Sequence, residues 1–309
     1  MATIASRDSL IRTSNEEMER IRSQYRRRSR WTVGRIVQKL LFWLLIAGIL
    51  LYTLFPFYWA VVSSLTPTND LYVYPVRFFP TTVTWEHYDA VLQNSGFMRA
   101  LLNSTIVSFS TVVLALLFGT LSAYAMGRLR FRGRTPILYL ILSMTMFPAI
   151  AIVGSLFTLL REFHLFNSLQ GLVVVYLTFS LPFTVWVLTN FFRAMPGELE
   201  QAALVDGATP MQALRQVLLP MAVPGLVTTG LLAFIGAWSE FLYALTFTSD
   251  ESARTVQVAI ATFTGNQQFE LPFAKRMAAA VIVTVPLLVG VLIVQRRIIS
   301  GLTAGAVKG

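Results

Sequence analysis

Glu240 is the one carboxylate inside the six long apolar runs of this 309-residue sequence. An ionisable group at mid-bilayer costs about 2.5 to 3.5 kcal/mol, so such a group is read first as functional, in gating or in the passage of a polar solute. Counting from Ala222 at about 1.5 Å per residue puts Glu240 roughly 27 Å along its helix, near an interface where it can also simply reach water. The two histidines, His87 and His164, lie far apart without metal-ligand spacing and read as interfacial polar residues. No cysteine occurs, which removes disulfides, thiolate metal sites and cysteine nucleophiles. There is no G-x-x-x-x-G-K-S/T phosphate loop and no G-x-S-x-G elbow, so if ATP is used another chain must bind it. An intramembrane enzyme would need a paired His, Asp or Ser constellation inside the spans, and none is visible. A self-contained secondary transporter would show inverted repeats and mid-membrane ionisable groups; it stays as the competing reading, with Glu240 its single acid and no convincing repeat.

The elements that position these residues follow from composition. With 55% hydrophobic and 13% charged residues and a mean hydropathy of +0.63, the chain reads as an all-α integral membrane protein. Six runs are long enough to cross about 30 Å of hydrocarbon: Leu40 to Val62, Leu102 to Met126, Ile137 to Leu160, Leu169 to Phe192, Ala222 to Phe247 and Met277 to Val294. Pro56, Pro148 and Pro182 predict kinks. The division is a basic tail over 1–39, a six-helix domain over 40–298 with a loop at 193–221, and a tail over 299–309. The first run is too long and too late for a cleavable signal, so it stays in the mature protein. Of the 25 Lys and Arg residues, 19 fall on the side of both termini and the 193–221 loop, which predicts that side to be cytoplasmic in a multi-pass cell-membrane protein. The formal charge of +10 and the "QYRRRSRW" stretch then read as an anchor beside anionic headgroups of the lipid bilayer rather than a nucleic-acid site. Asn103, Ser104, Thr178 and Ser180 could line a hydrophilic route, although interhelical hydrogen bonding is the commoner use. Gly119, Ala123 and Gly127 form a small-residue ridge for helix contact.

The most punctuated segment is "ELEQAALVDGATPMQALRQVLLP", Glu198 to Pro220. Leu199, Ala202 and Ala203 share an apolar face, with Glu198 and Glu200 at the helix N-terminus where the macrodipole favours carboxylates. Gly207 after Asp206 reads as a left-handed C-cap; Thr209, Pro210 and Gln212 read as N-cap, first-turn proline and capping-box partner. A second helix should place Met211, Leu214 and Val217 on one side and Gln212, Arg215 and Gln216 on the other. A rigid helix–turn–helix with small exposed residues suits either docking in another protein's groove or rest on lipid headgroups.

This segment resembles the cytoplasmic coupling loop of ABC importer permeases, with pattern E-A-A-x-x-x-G followed after about nine residues by I-x-L-P. The matching positions are Gln201, Ala202, Ala203, Gly207, Val217, Leu219 and Pro220, and Glu200 and Asp206 match residues common in the sugar-importing branch. Gln201 departs from the usual Glu, exchanging a charge contact for a neutral hydrogen bond. The tail "QRRIISGLTAGAVKG" resembles that of maltose- and trehalose-type permeases, which reaches between two ATPase subunits; it places Gly301, Leu302, Thr303 and Lys308 there. "FIGAWSEFLYALTF" is similar to the family's W-N-E-F stretch, with Ser239 in place of Asn. "TFTGNQQFELPF" resembles the external loop that enters the sugar-binding protein, assigning that role to Gly265, Asn266, Gln267, Gln268 and Phe269. The resemblance implies a type I ABC importer permease fold with a coupling-helix hairpin in which Glu200, Gln201, Ala202, Ala203, Asp206, Gly207, Thr209, Leu219 and Pro220 make the ATPase contact. It implies a non-enzymatic subunit working with a homologous second permease, an ATPase dimer that binds ATP and Mg, and an extracytoplasmic sugar-binding protein. No cofactor or metal is then expected in this chain. Sugar is held mainly by the partner permease in the maltose system, so no sugar-binding residue is expected here. Maltose, trehalose, related oligosaccharides and glycerol phosphate all lie within the range of such permeases.

Overall fold

A computed structural model describes the backbone of residues 2–263 and 272–303, with side chains over 34–263 and 272–295. Every regular element among the described residues is helical. In chain order they are α1 (Ala2–Leu65), α2 (Thr68–Leu71), α3 (Glu86–Leu92), α4 (Ser95–Gly127), α5 (Arg134–Met144), α6 (Ala149–Glu162), α7 (Leu169–Ala194), α8 (Gly197–Val205), α9 (Pro210–Ala213), α10 (Leu219–Trp238), α11 (Leu242–Phe247), α12 (Val256–Ala261) and α13 (Phe273–Thr303).

The chain divides between Trp59 and Ala60. Up to Trp59 it is a single helix, and over 34–59 its apolar side chains are largely uncovered, Trp43 at 64% and Tyr52 at 86% exposure. A helix apolar all round and unburied calls for hydrocarbon or another membrane helix around it. From Ala60 onward, α4 and α7 form the central packed pair. The small-residue ridge read from the sequence makes that contact: a Cβ on Gly119 would lie 2.6 Å from Thr184 Cγ2, and one on Gly127 would lie 3.2 Å from Phe192 Cβ. Ala123 between them is fully buried. Gly119→Leu is therefore expected to cost about 1–3 kcal/mol by overpacking, read as a lower unfolding temperature in detergent.

Among the described residues five helices are long and apolar enough to cross a membrane, and a sixth crossing exists if a bent pair counts as one. The expected third span, Ile137 to Leu160, is that pair: α5 and α6 meet at 93° rather than at a kink. Proline explains the break. Pro148 has no N–H and pushes Phe147 out of the helical region, so α5 closes on turn bonds from Thr145 to Leu142 and from Met146 to Ser143 before α6 starts. Pro182, by contrast, lies inside an unbroken α7. The expected fifth span also divides: α10 stops at Trp238 and α11 carries the chain on to Phe247.

Candidate functional site

The hairpin between α7 and α10 is built almost wholly by its own caps. Gly207 has φ +89°, and the Gly207 N–H to Leu204 carbonyl (3.1 Å) and Ala208 N–H to Ala203 carbonyl (3.0 Å) bonds close the left-handed turn at the end of α8. Thr209 accepts from the Gln212 N–H at 3.3 Å, while the Gln212 side chain accepts from the Thr209 N–H at 2.7 Å, which completes the capping box expected from the sequence. The second helix departs from expectation. α9 passes through a π-helical turn at Leu214–Leu218 into α10, so it is the start of a membrane helix rather than a separate short one. Pro220 supplies no N–H to that region of the ladder, and a wider turn absorbs the mismatch. Ala213, Leu214 and Leu218 are buried while Met211 is 49% exposed, where the 3.6-residue period had grouped Met211 with Leu214 and Val217.

Nothing on α8 is buried. Gln201, Ala202, Asp206, Gly207, Thr209 and Pro220 are exposed, and Ala203 and Leu219 are half-buried. Apolar side chains are displayed with them: Leu204, Met211 and, at 86% exposure, Val205. Glu200 behaves differently. Its Oε1 accepts from the Tyr124 hydroxyl at 2.8 Å, and its Oε2 lies 3.5 Å from Arg128 Nε, an ion pair without a hydrogen bond at that nitrogen. Arg128 also donates to the Met195 carbonyl at 3.1 Å, and Arg193 donates to the Met126 carbonyl at 3.2 Å. The root of the hairpin is thus fastened to the end of α4. Sequence reasoning used Arg128 only to count charge and missed this role; its signal was an arginine directly after Gly127, the last residue of α4.

Glu240 sits in the break between α10 and α11. It accepts from the Tyr243 N–H at 2.7 Å, the Ala244 N–H at 3.0 Å and the Tyr176 hydroxyl at 2.9 Å. Three donors replace water around the carboxylate, which is how a half-buried acid is tolerated among apolar helices. Beside it, a cavity of about 680 Å³ opens at the α5–α6 break. Asn103 donates to the Ser252 and Arg254 carbonyls, both at 3.0 Å, and Ser104 accepts from the Val256 N–H at 2.8 Å, so both link helices to the 252–256 segment. Thr178 bonds within α7 to the Val175 carbonyl, and the Ser180 hydroxyl is buried. Nearby, hydrogen bonds from Ser252 and then Asn167 hold the Asp250 carboxyl below its ordinary range.

His87 is buried and its Nε2 lies 3.1 Å from the Thr66 carbonyl; His164 takes a left-handed turn. No group of three or more metal-ligating side chains occurs among the described residues. Gly301, Leu302 and Thr303 form the last turn of α13, in backbone only. Lys308 and the stretch Gly265, Asn266, Gln267, Gln268 and Phe269 lie outside the described residues.

Among the described residues the chain is a helical bundle with long apolar helices and a capped hairpin between α7 and α10, and its matches are transport permease subunits rather than enzymes. The family model "binding-protein-dependent transport system inner membrane component" matches residues 95–303, two thirds of the chain, and the chain belongs to that family. It is 45% identical over 258 residues to the trehalose transport system permease protein SugB of Mycobacterium tuberculosis, covering 84% of this chain and 93% of the relative. It is 39% identical over 271 residues to the trehalose/maltose transport system permease protein MalG of Thermococcus litoralis, covering 86% and 96%. Among solved structures, a bacterial ABC transporter that imports the acidic polysaccharide alginate has a chain of the same fold, with a TM-score of 0.75 at 23% identity over 84% of this chain and 96% of that one.

Proposed function

We propose that this chain is one of two transmembrane halves of an ATP-driven importer for a di- or oligosaccharide of the trehalose or maltose kind, with both termini and the hairpin on the cytoplasmic side. The hairpin carries the reading. It is stiffened by caps, rooted on α4 through Arg128 and Glu200, and exposes Leu204, Val205 and Met211 where lipid-facing helices have ended. Such a surface fits the groove of a soluble partner. The partner is an ATPase subunit that holds ATP and Mg, consistent with the lack of a G-x-x-x-x-G-K-S/T loop in this sequence.

Closure of the ATPase dimer would move the hairpin and, through its root, α4 and α10, so the bundle exchanges inward- and outward-facing states. The outward-turned residues Gln201, Ala202, Asp206, Gly207 and Thr209 take the contact, whereas Glu200 serves the internal root. The 301–308 tail reaching between ATPase subunits and the 265–269 loop entering the sugar-binding protein rest on the family resemblance. The sugar rests on the two relatives, both named for trehalose; the alginate importer shows that the fold itself does not select it.

Purification from the membrane in mild detergent is expected to recover a nucleotide-hydrolysing dimer and a second permease with this chain. In proteoliposomes, trehalose or maltose uptake should require both ATP and the external binding protein. Solute movement by this chain with no hydrolase attached would overturn the proposal.

A further inference from the structure

The resemblance leaves sugar contacts to the partner permease. We propose that this chain also carries a transit subsite for one ring of a neutral sugar, in the cavity at the α5–α6 break. The inference rests on the importer function proposed above and adds to it a place and a ligand class.

The cavity, about 680 Å³, falls within the roughly 300–1,000 Å³ of small-molecule sites. Its walls combine aromatic rings with a few polar atoms. Tyr243 is buried, stacked between Phe179 and Phe247, so the ring faces open to the space are those of half-buried Phe179 and of Phe147, which lies in the break itself and is 66% exposed. Flat apolar faces of this kind suit the C–H face of a pyranose ring. The polar atoms are matched to hydroxyl donors. Thr145 and Thr178 spend their protons on the Leu142 and Val175 carbonyls, which leaves each hydroxyl oxygen free to accept. Glu240 Oε1 accepts one hydrogen bond, from Tyr243, and keeps capacity for another.

Among the described residues no Lys, Arg or His lines the space, so an acidic sugar would meet the Glu240 carboxylate with no cation there to offset it. A lipid chain would leave the three acceptors unused. The contrast lies within the same molecule: a cavity of about 600 Å³ between α4, α10 and α13, lined by Phe109, Leu116 and Leu231 among others, is almost wholly apolar.

The test uses the whole transporter in proteoliposomes with its binding protein. Gly236 is on the cavity wall, and a Cβ there would meet only Phe179, at 3.6 Å. Gly236→Leu therefore fits its helix and projects a branched side chain into the cavity, narrowing it; trehalose uptake is expected to fall at least several-fold while binding-protein-stimulated ATP hydrolysis stays within about twofold. Unchanged uptake would overturn the subsite and leave the importer reading intact, since the ATPase would still be attached and stimulated. If Gly236→Leu fails to assemble, or loses both activities together, two further measurements decide. Thr178→Val keeps shape and removes an acceptor, and should slow uptake several-fold without changing assembly. Because the chain has no cysteine, Gly236→Cys gives this subunit a single reactive thiol. Trehalose in the transporting complex should slow its maleimide labelling and a uronic-acid disaccharide should not. Equal protection by both would overturn the neutral class, and protection by neither would overturn the subsite in favour of a lipid-filled space.

Discussion

Gly207→Val is expected to lower ATP-dependent sugar uptake at least about tenfold in the assembled transporter, while Gly207→Asn retains most of it. The difference between the two substitutions isolates the cause. No atom lies within 4 Å of a Cβ built on Gly207, so neither side chain collides with anything. What remains is the backbone at φ +89°, a region that costs an ordinary L-residue about 1–2 kcal/mol, more for a β-branched one, and that Asn tolerates. Valine would relax towards negative φ and give up the bonds from Gly207 to Leu204 and from Ala208 to Ala203. α9 would then leave α8 at another angle, and the surface of Val205, Asp206 and Met211 would no longer present one face. Uptake and sugar-stimulated ATP hydrolysis are the readouts, with subunit content by gel filtration as the control. Undiminished coupling in the valine variant would remove the hairpin from the mechanism.

Arg128→Ala should destabilise the hairpin root by about 2–3 kcal/mol, with Arg128→Lys recovering only part of the loss. Both partners of the Arg128–Glu200 pair are largely shielded, with 10% and 14% of their side chains exposed. Removing the guanidinium leaves the Glu200 carboxylate with the Tyr124 hydroxyl alone and frees the Met195 carbonyl. Lysine restores charge but cannot reach the carboxylate and the carbonyl with one planar fork. The expected signature is thermal unfolding at lower temperature with earlier protease cleavage between Ala194 and Pro210. A double-mutant cycle with Glu200→Gln should show coupling of about 1 kcal/mol or more, because the two groups share one contact. Additive losses would mean that the pair does not hold the root.

Local chemistry was legible in advance because it depends on neighbours in the chain. Thr209, Pro210 and Gln212 cap one helix and Gly207 ends another whatever surrounds them, and the structure contains both devices. Long apolar runs were equally readable, since a helix that satisfies its own backbone is the one continuous solution for them. The Gly119, Ala123 and Gly127 ridge was read as a helix contact on spacing alone, although its partner, α7, was not.

Pairing across the fold decided the rest. Pro148 and Pro182 look alike in sequence, yet exposed Pro148 marks a 93° turn while Pro182, buried against neighbouring helices, lies inside an unbroken α7. Met211, grouped with Leu214 and Val217 by a constant period, is 49% exposed at the hairpin tip. Glu240 looked like a lone acid in a span; only the folded chain brings the Tyr176 hydroxyl and the N–H groups of a new helix around it. Glu200 grouped naturally with its exposed neighbours until Tyr124 and Arg128, more than 70 residues earlier, turned it inward. Periodicity and caps are properties of a few consecutive residues, so the sequence by itself determined a helical membrane protein with a stiff hairpin, and its motifs' resemblance to a known family marked it as a permease. Which carboxylate faces a partner and which is held inside depends on contacts between distant segments, and these exist only once the helices have packed.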